Sequence, residues 1–149
     1  MTLDEVVVAV GDDDESRIDA IERTVIDIAG PAGATVHLAH VFSDDEYDQF
    51  REQLDFDRDA EVTPTVVAER QVNVRELGEA LDAAGVEFEM HGTTGQRSEE
   101  LVRLAEETDA DLVVIGGRTR SPTGKAVFGS TAQETLLNSP CPVTFVRND

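Results

Sequence analysis

Leu112-Val113-Val114-Ile115-Gly116-Gly117 is a run of four apolar residues that ends in two glycines, and Gly129-Ser130 then opens an amphipathic stretch ending near Asn138. An unbroken apolar run is what a strand covered on both faces requires, since neither side of its pleat meets water. A glycine-rich loop leading from such a strand into a helix reads as one step of a parallel sheet. A second run of the same kind, Val6-Val7-Val8-Ala9-Val10, stands near the N-terminus. Two fully apolar strands far apart in sequence are therefore expected side by side at the centre of one sheet.

The intervening chain supplies the rest of the alternation. Ile18, Ile21, Val25 and Ile28 form one helical stripe in a helix expected from about Glu15, which Gly30-Pro31-Ala32-Gly33 ends. Thr35 to Val41 reads as the second strand. Ser43 to Asp59 is acidic, carries Tyr47, Phe50, Leu54 and Phe56, and fits a short helix or an ordered loop equally well. Thr65 to Ala84 reads as one helical stretch anchored by Val66, Val74, Leu77 and Leu81, with Gly85 as its stop. Val86-Glu87-Phe88-Glu89-Met90-His91 alternates strictly, as an edge strand does. Arg97 to Thr108 is helical through Leu101, Leu104 and Ala105, and Val143-Thr144-Phe145-Val146 is the last strand. Five strands alternating with four main helices predict an α/β fold: a single doubly wound five-stranded parallel sheet, order 3-2-1-4-5, helices on both faces, over residues 1–149 as one domain. Ligands of such sheets bind beyond the carboxyl ends of the strands where the order reverses, here between the loops after strands 1 and 4.

The 149 residues carry 32 acidic side chains against 12 Lys and Arg, a formal charge of -20. That field repels nucleic acid and anionic lipid, so neither is expected as a partner. No apolar run reaches the roughly 18 residues of a membrane helix, and Met1-Thr2-Leu3-Asp4-Glu5 lacks the basic start of a signal peptide. One cysteine, Cys141, precludes an internal disulfide and a CxxC site. The expected location is cytoplasmic. Lys125 is the single lysine; abundant Asp with almost no Lys resembles the cytoplasmic proteins of salt-accumulating, halophilic microbes. The physical reading is a carboxylate surface whose self-repulsion is screened only at high ionic strength.

Against that background, residues 112–133 contain no acidic residue and hold Arg118, Arg120 and Lys125. Gly116, Gly117, Gly124 and Gly129 allow close backbone approach, Ser121, Thr123, Ser130 and Thr131 offer hydroxyls, and a helix N-terminus follows. This composition fits an anion site; a covered loop between a core strand and a helix would also be poor in acids. It is not a Walker loop, because Gly124-Lys125 is followed by Ala126, and no GxGxxG follows the first strand.

Ile115-Gly116-Gly117-Arg118-Thr119, nine further residues, and Gly129-Ser130 resemble the signature of the universal stress protein family, Gly-x2-Gly-x9-Gly-Ser/Thr. The likeness extends along the chain through Val8-Ala9-Val10, His37-Leu38-Ala39-His40-Val41, Gly95 with Ser98-Glu99-Glu100-Leu101, Ala110 to Gly116, and Cys141-Pro142-Val143. The resemblance implies a regulatory or protective stress module, in some branches binding ATP or a related adenine nucleotide with Mg²⁺. By motif position it places nucleotide contacts at Val41, Gly116, Gly129 and Ser130; Ala9, Gly11, Gly117, Arg118, Thr119, Arg120 and Thr131 complete the candidate nucleotide-binding set, with Arg118, Arg120 and Lys125 as charge on the phosphate side. It also implies a homodimer through the last strand, at Val143, Phe145 and Val146. Two positions depart from the pattern. Thr119 stands where the second signature glycine is expected, and Gly11 where binders have an Asp, although Asp12 and Asp13 follow at once. Those departures favour the alternative, a dimeric interaction protein on the same fold that binds no nucleotide. An adenylating ligase of the wider nucleotide α-hydrolase type would need a second substrate module.

The remaining candidates read as structural. Asp12-Asp13-Asp14-Glu15 fits helix capping, or Mg²⁺ beside a triphosphate. His37 and His40, three apart on a strand, face opposite sides and cannot share a metal; His91 lies on the edge strand. Cys141, between two prolines, reads as a buried thiol. No nucleophile and base pair up in the sequence, so no catalytic residue and no metal ligand is assigned, and catalysis is not expected beyond weak ATP hydrolysis.

Overall fold

The computed structural model describes residues 2–53, 62–117 and 129–147, apart from the side chains of Asp12, Asp13 and Glu15. Strand β1 (Glu5–Ala9) leads through a 3-10 turn (Asp12–Arg17) into helix α1 (Ile18–Ala32) and strand β2 (Thr35–Phe42). Helices α2 (Asp44–Gln53), α3 (Pro64–Ala68) and α4 (Val72–Ala83) precede strand β3 (Phe88–Thr94). Helix α5 (Arg97–Glu107), strand β4 (Leu112–Gly117), helix α6 (Ser130–Asn138) and strand β5 (Val143–Arg147) complete the order. All pairings are parallel and the sheet runs β3-β2-β1-β4-β5, as the sequence predicts.

The two valine-rich strands are central because only the middle of the sheet covers both their faces. Val6, Val7 and Val8 are wholly buried, and Val113, Val114 and Ile115 nearly so. On one face Val6, Val8, Val36, Leu38 and Val114 pack against Ile21 and Val25 of α1 and Leu77 and Leu81 of α4. On the other, Val7, Ala39, Val41, Val113 and Ile115 pack against Leu101 and Ala105 of α5 and Ala132 of α6. Burying one leucine-sized side chain contributes about 1.5–3 kcal/mol, so these two layers dominate folding.

Helix ends follow from backbone chemistry. Gly33 (φ 68°) and Gly85 (φ 74°) adopt the left-handed conformation that only glycine takes without strain. Helix α1 runs through Gly30 and Pro31 before Gly33 stops it, since Pro31 lies in the final turn.

Two sequence expectations change. The stretch Thr65 to Ala84 is two helices, not one. Thr63 caps α3 by accepting a hydrogen bond from the Val66 amide at 3.3 Å, Pro64 occupies the first turn, and the chain breaks before α4 begins at Val72. Tertiary packing overrides the helical pattern here: Thr65 Oγ1 accepts from the Gly92 amide at 3.1 Å and donates to the Gly92 carbonyl at 3.3 Å, seating α3 on β3. Strand β3 also runs three residues beyond His91, because β2 is long enough to pair Phe42 with Thr94. The ambiguous segment after Ser43 is helical over Asp44–Gln53, with Tyr47 and Phe50 against Phe42, Val67 and Ala68. Its remainder, Leu54 to Asp59, lies outside the described residues.

Candidate functional site

Where β1 and β4 part, the sheet opens. They pair from Val6↔Leu112 to Val8↔Val114, and Ala9 and Ile115 are the first positions past that stretch. On the other side of β1 the ladder reaches one residue further, the Val10 amide donating to the Ala39 carbonyl at 2.9 Å. Carbonyls alternate sides along a strand, so the Val41 carbonyl points the same way as that of Ala39, into the space β1 has left. The crevice thus has the ends of β1 and β2 on one side and Gly116-Gly117 on the other, at the point of strand reversal.

The N-terminus of α6 belongs to the same end of the sheet. Gly129 is its N-cap (φ -62°, ψ 150°) and offers no side chain to cap the first turn, and no acidic residue lies in that turn. Among the described residues no side chain takes the first amides of α6, whose partial positive charge favours an anion. Gly129 and Ser130 are exposed and Thr131 is half-buried. A Cβ at Gly129 would meet none of the described atoms within 4 Å.

Gly116 is different. A Cβ there would lie 2.7 Å from Arg17 Cδ, 3.2 Å from Ile21 Cδ1 and 3.3 Å from Asp14 Oδ1. Its lack of a side chain makes room for a buried ion pair. The Arg17 guanidinium is bound to the Asp14 carboxylate, and the two residues are 4% and 5% exposed. Asp14 Oδ2 also accepts from the Gly11 amide at 2.7 Å, and the Gly11 carbonyl accepts from Asn73 Nδ2 at 2.8 Å. Nδ1 of the buried His40 donates to the Val10 carbonyl at 2.7 Å. The loop after β1 is thus tied to α4, to β2 and, through Arg17, to β4. His40 is structural, as the sequence reads it, while sequence reading missed Arg17 and Asn73, because Arg17 packs over Gly116 of β4 and Asn73 reaches from α4 to the loop after β1. The nearest clue was the acidic run, in which Asp14 serves the fold.

Of the positions that the resemblance named, Ala9, Gly11, Val41, Gly116, Gly117, Gly129, Ser130 and Thr131 stand at the carboxyl end of the sheet. Arg118, Thr119, Arg120 and Lys125 lie outside the described residues. Gly117 faces β5, where a Cβ would meet the Phe145 ring at 3.1 Å. Strand β5 is an edge of the sheet, with its outer side open among the described residues. The expectation that Val143, Phe145 and Val146 are all available there needs correction. Val146 is 7% exposed and packs into the α1 layer, because alternation sends it to the face opposite Val143 and Phe145. Leu136 and Leu137 of α6 are 42% and 76% exposed. Cys141 is half-buried and free.

The histidines also need revision. His37 and His40 do face opposite sides, but His37 meets His91 across the strands, Nδ1 to Nε2 at 2.9 Å. Burial, and then His37, lower the His91 pKa below its ordinary value, while Glu89 and Glu107 oppose the shift. This pair lies toward the other end of the sheet from the crevice.

Known proteins resemble the chain along its length. The model of the universal stress protein family matches residues 2–147. A universal stress protein of Mycolicibacterium smegmatis is 40% identical over 79 residues, which is 52% of this chain and 61% of that protein. The matches span 61%, 46% and 39% of the three curated relatives, so the chain covers less than two thirds of each. A crystal structure of a universal stress protein in complex with cAMP superposes with a TM-score of 0.70 at 23% identity, covering 100% of both chains. The Archaeoglobus fulgidus universal stress protein in complex with dAMP gives 0.65 at 23% identity, covering 98% of this chain and 99% of the other. Among the described residues no helix is long and apolar enough to cross a membrane.

Proposed function

The chain belongs to the universal stress protein family, and from that premise we propose that it is a cytoplasmic regulatory module, a single domain that binds an adenine nucleotide in the crevice between β1 and β4. The observation that carries this reading is the glycine-capped, acid-free first turn of α6 beside strand ends that have already parted. The amides at Ser130 and Thr131 and the Ser130 hydroxyl would hold phosphate, and the Val41 backbone and Ala9 would line the nucleoside. Arg118 and Arg120 would add charge on the phosphate side, with Thr119 beside them. Two fold relatives complexed with cAMP and dAMP support a monophosphate at least as well as ATP. For ATP, Mg²⁺ would be needed to offset the triphosphate charge. Asp12 and Asp13 are the carboxylates to test for it, since Asp14 is committed to Arg17 and Gly11. A second copy would cover the open β5 edge and the exposed Leu137, giving a homodimer. Nucleotide binding would bias the loop after β4 and so the choice of protein partner.

The second reading, an interaction module without nucleotide, draws on Gly11, which offers no carboxylate where binders have one. Calorimetry with AMP, cAMP and Mg-ATP in roughly molar KCl separates the two. Binding that is lost in Gly129→Asp supports the nucleotide site. That variant keeps a good helix cap and places negative charge where phosphate would sit. A folded protein that binds none of the three refutes it.

A further inference from the structure

Three donor atoms converge on the sheet face that carries Val7 and Val113, toward the amino ends of the strands. His37 Nδ1 lies 2.9 Å from His91 Nε2 and 3.5 Å from Glu89 Oε2, and His91 Nε2 lies 3.7 Å from Glu89 Oε2. The cause is register. His37 on β2 stands opposite Glu89 on β3, and Ala39 stands opposite His91, so Glu89 and His91 project on the same face as His37. Phe88 and Met90 go to the opposite, α1 and α4 layer. We propose that His37, Glu89 and His91 form a binding site for a divalent transition metal of the Zn²⁺ class.

The dimensions select the class. A point just off the plane of this triangle lies about 2.1 Å from all three donors, and Zn–N and Zn–O bonds are about 2.0–2.2 Å. Tetrahedral ligands at such lengths stand about 3.3 Å apart and octahedral ones about 2.9 Å. The mean of the three separations, about 3.4 Å, matches the tetrahedral case. Two imidazoles with one carboxylate suit zinc-like ions, whereas Mg²⁺ and Ca²⁺ take oxygen ligands and larger coordination numbers.

A second, independent feature is the partner of His37 on its far side. Nε2 of His37 meets Glu5 Oε2 at 2.5 Å. That carboxylate fixes the proton on Nε2 and leaves the Nδ1 lone pair aimed at the other two donors. A carboxylate behind a ligating imidazole is the arrangement that orients histidine at metal centres and raises its basicity. The His37 side chain is 7% exposed, those of His91 and Glu89 are 32% and 64% exposed. The site therefore has one buried anchor and an open side where water completes the coordination. Such an ion would join β2 to the edge strand β3, with β1 engaged through Glu5. It owes nothing to the nucleotide crevice, which lies at the carboxyl end of the sheet.

The test is titration of the chelator-stripped full chain with Co²⁺ in molar KCl and excess Mg²⁺, which occupies surface carboxylates. The visible absorption of Co²⁺ reports four-coordinate geometry. One Co²⁺ per chain with tetrahedral bands, displaced by Zn²⁺, is the expected result. His91→Ala and Glu89→Gln, both at partly exposed positions, should keep the melting temperature of the metal-free protein and weaken binding at least about tenfold. Glu5→Gln preserves the hydrogen bond but removes the charge, and should weaken binding by about 10–100-fold. Absence of tetrahedral bands, or equal affinity in His91→Ala, overturns the proposal, whatever the nucleotide titration gives.

Discussion

Gly116→Ala tests what the first glycine of the signature loop is for. If it serves phosphate approach, alanine there should reduce nucleotide affinity and leave the free protein's stability alone. The structure predicts the opposite emphasis. The new Cβ would lie 2.7 Å from Arg17 Cδ, about 0.7 Å inside ordinary carbon–carbon contact. Arg17 is buried, so its stem cannot swing into solvent, and its guanidinium is held by Asp14. Either the stem leaves its rotamer or the 3-10 turn moves away from β4. Overpacking of this kind costs about 1–3 kcal/mol, and separating a buried ion pair would cost about 3–5 kcal/mol. Partial adjustment without breaking the pair puts the expected loss near 2 kcal/mol. At about 2–4 °C per kcal/mol for a chain of this size, the melting temperature should fall by about 4–8 °C. The assay is thermal unfolding without nucleotide at one fixed KCl concentration. Gly117→Ala, whose Cβ meets only the Phe145 ring among the described residues, at 3.1 Å, should cost less, and Gly129→Ala, which meets nothing described, least. A change under about 0.5 kcal/mol for Gly116→Ala, or the reverse order among the three, would show that the Arg17 contact does not constrain this position.

Gly92→Ala should be worse still. Its Cβ would lie 2.2 Å from the Pro64 carbonyl oxygen, a backbone atom with no rotamer to change, so α3 must lift off β3. A loss of about 3 kcal/mol, read as a melting temperature lower by about 6–12 °C, is expected, and an unchanged melt would mean that α3 does not pack there. Glu22→Gln should stabilise. Burial first, then Asp19 and Glu76, raise the Glu22 pKa above 4.5. A raised carboxyl favours the native state below its unfolded value and loses that contribution as pH rises through the raised value. The gain from glutamine should therefore be seen in melts at neutral pH and shrink in acid, and molar KCl should remove only the part owed to Asp19 and Glu76. Equal gains in low and high salt would assign the effect to burial alone, and no gain at neutral pH would refute it.

Legibility in the sequence followed the range of the interaction. The strand order could be read because burial on both faces writes itself locally, as in Val6-Val7-Val8 against the alternating Glu87 to His91. The crevice followed from that order, and Gly129-Ser130 marked the start of α6. The break between α3 and α4 did not show, because the helical stripe continues through it. Nor did the seat of α3, which depends on Gly92, some twenty-eight residues after Pro64, admitting backbone too close for any side chain. The acid run at Asp12 fits surface, cap and metal alike in the sequence. Asp14 resolves as a buried partner only once Arg17, packed over Gly116, is seen.

The histidines make the physical limit plainest. His37 and His40 share a strand, and period-two alternation separates them. The partner that matters is His91, fifty-four residues on, and its side chain reaches His37 only because β2 and β3 pair with Ala39 opposite His91. A shift of one residue in that register would turn Glu89 and His91 toward the α1 layer and bury two polar side chains among Phe88's present neighbours. The hydrophobic demand of Phe88 and Met90 on one face therefore fixes the position of Glu89 and His91 on the other. The metal-ligand geometry proposed for this edge is a by-product of core packing that no local motif encodes. It follows that Phe88→Leu, which keeps the alternation, should leave Co²⁺ affinity within a few-fold of the parent while lowering stability by about 1 kcal/mol. A variant that lost metal binding while the sheet stayed folded would break the link between core register and site.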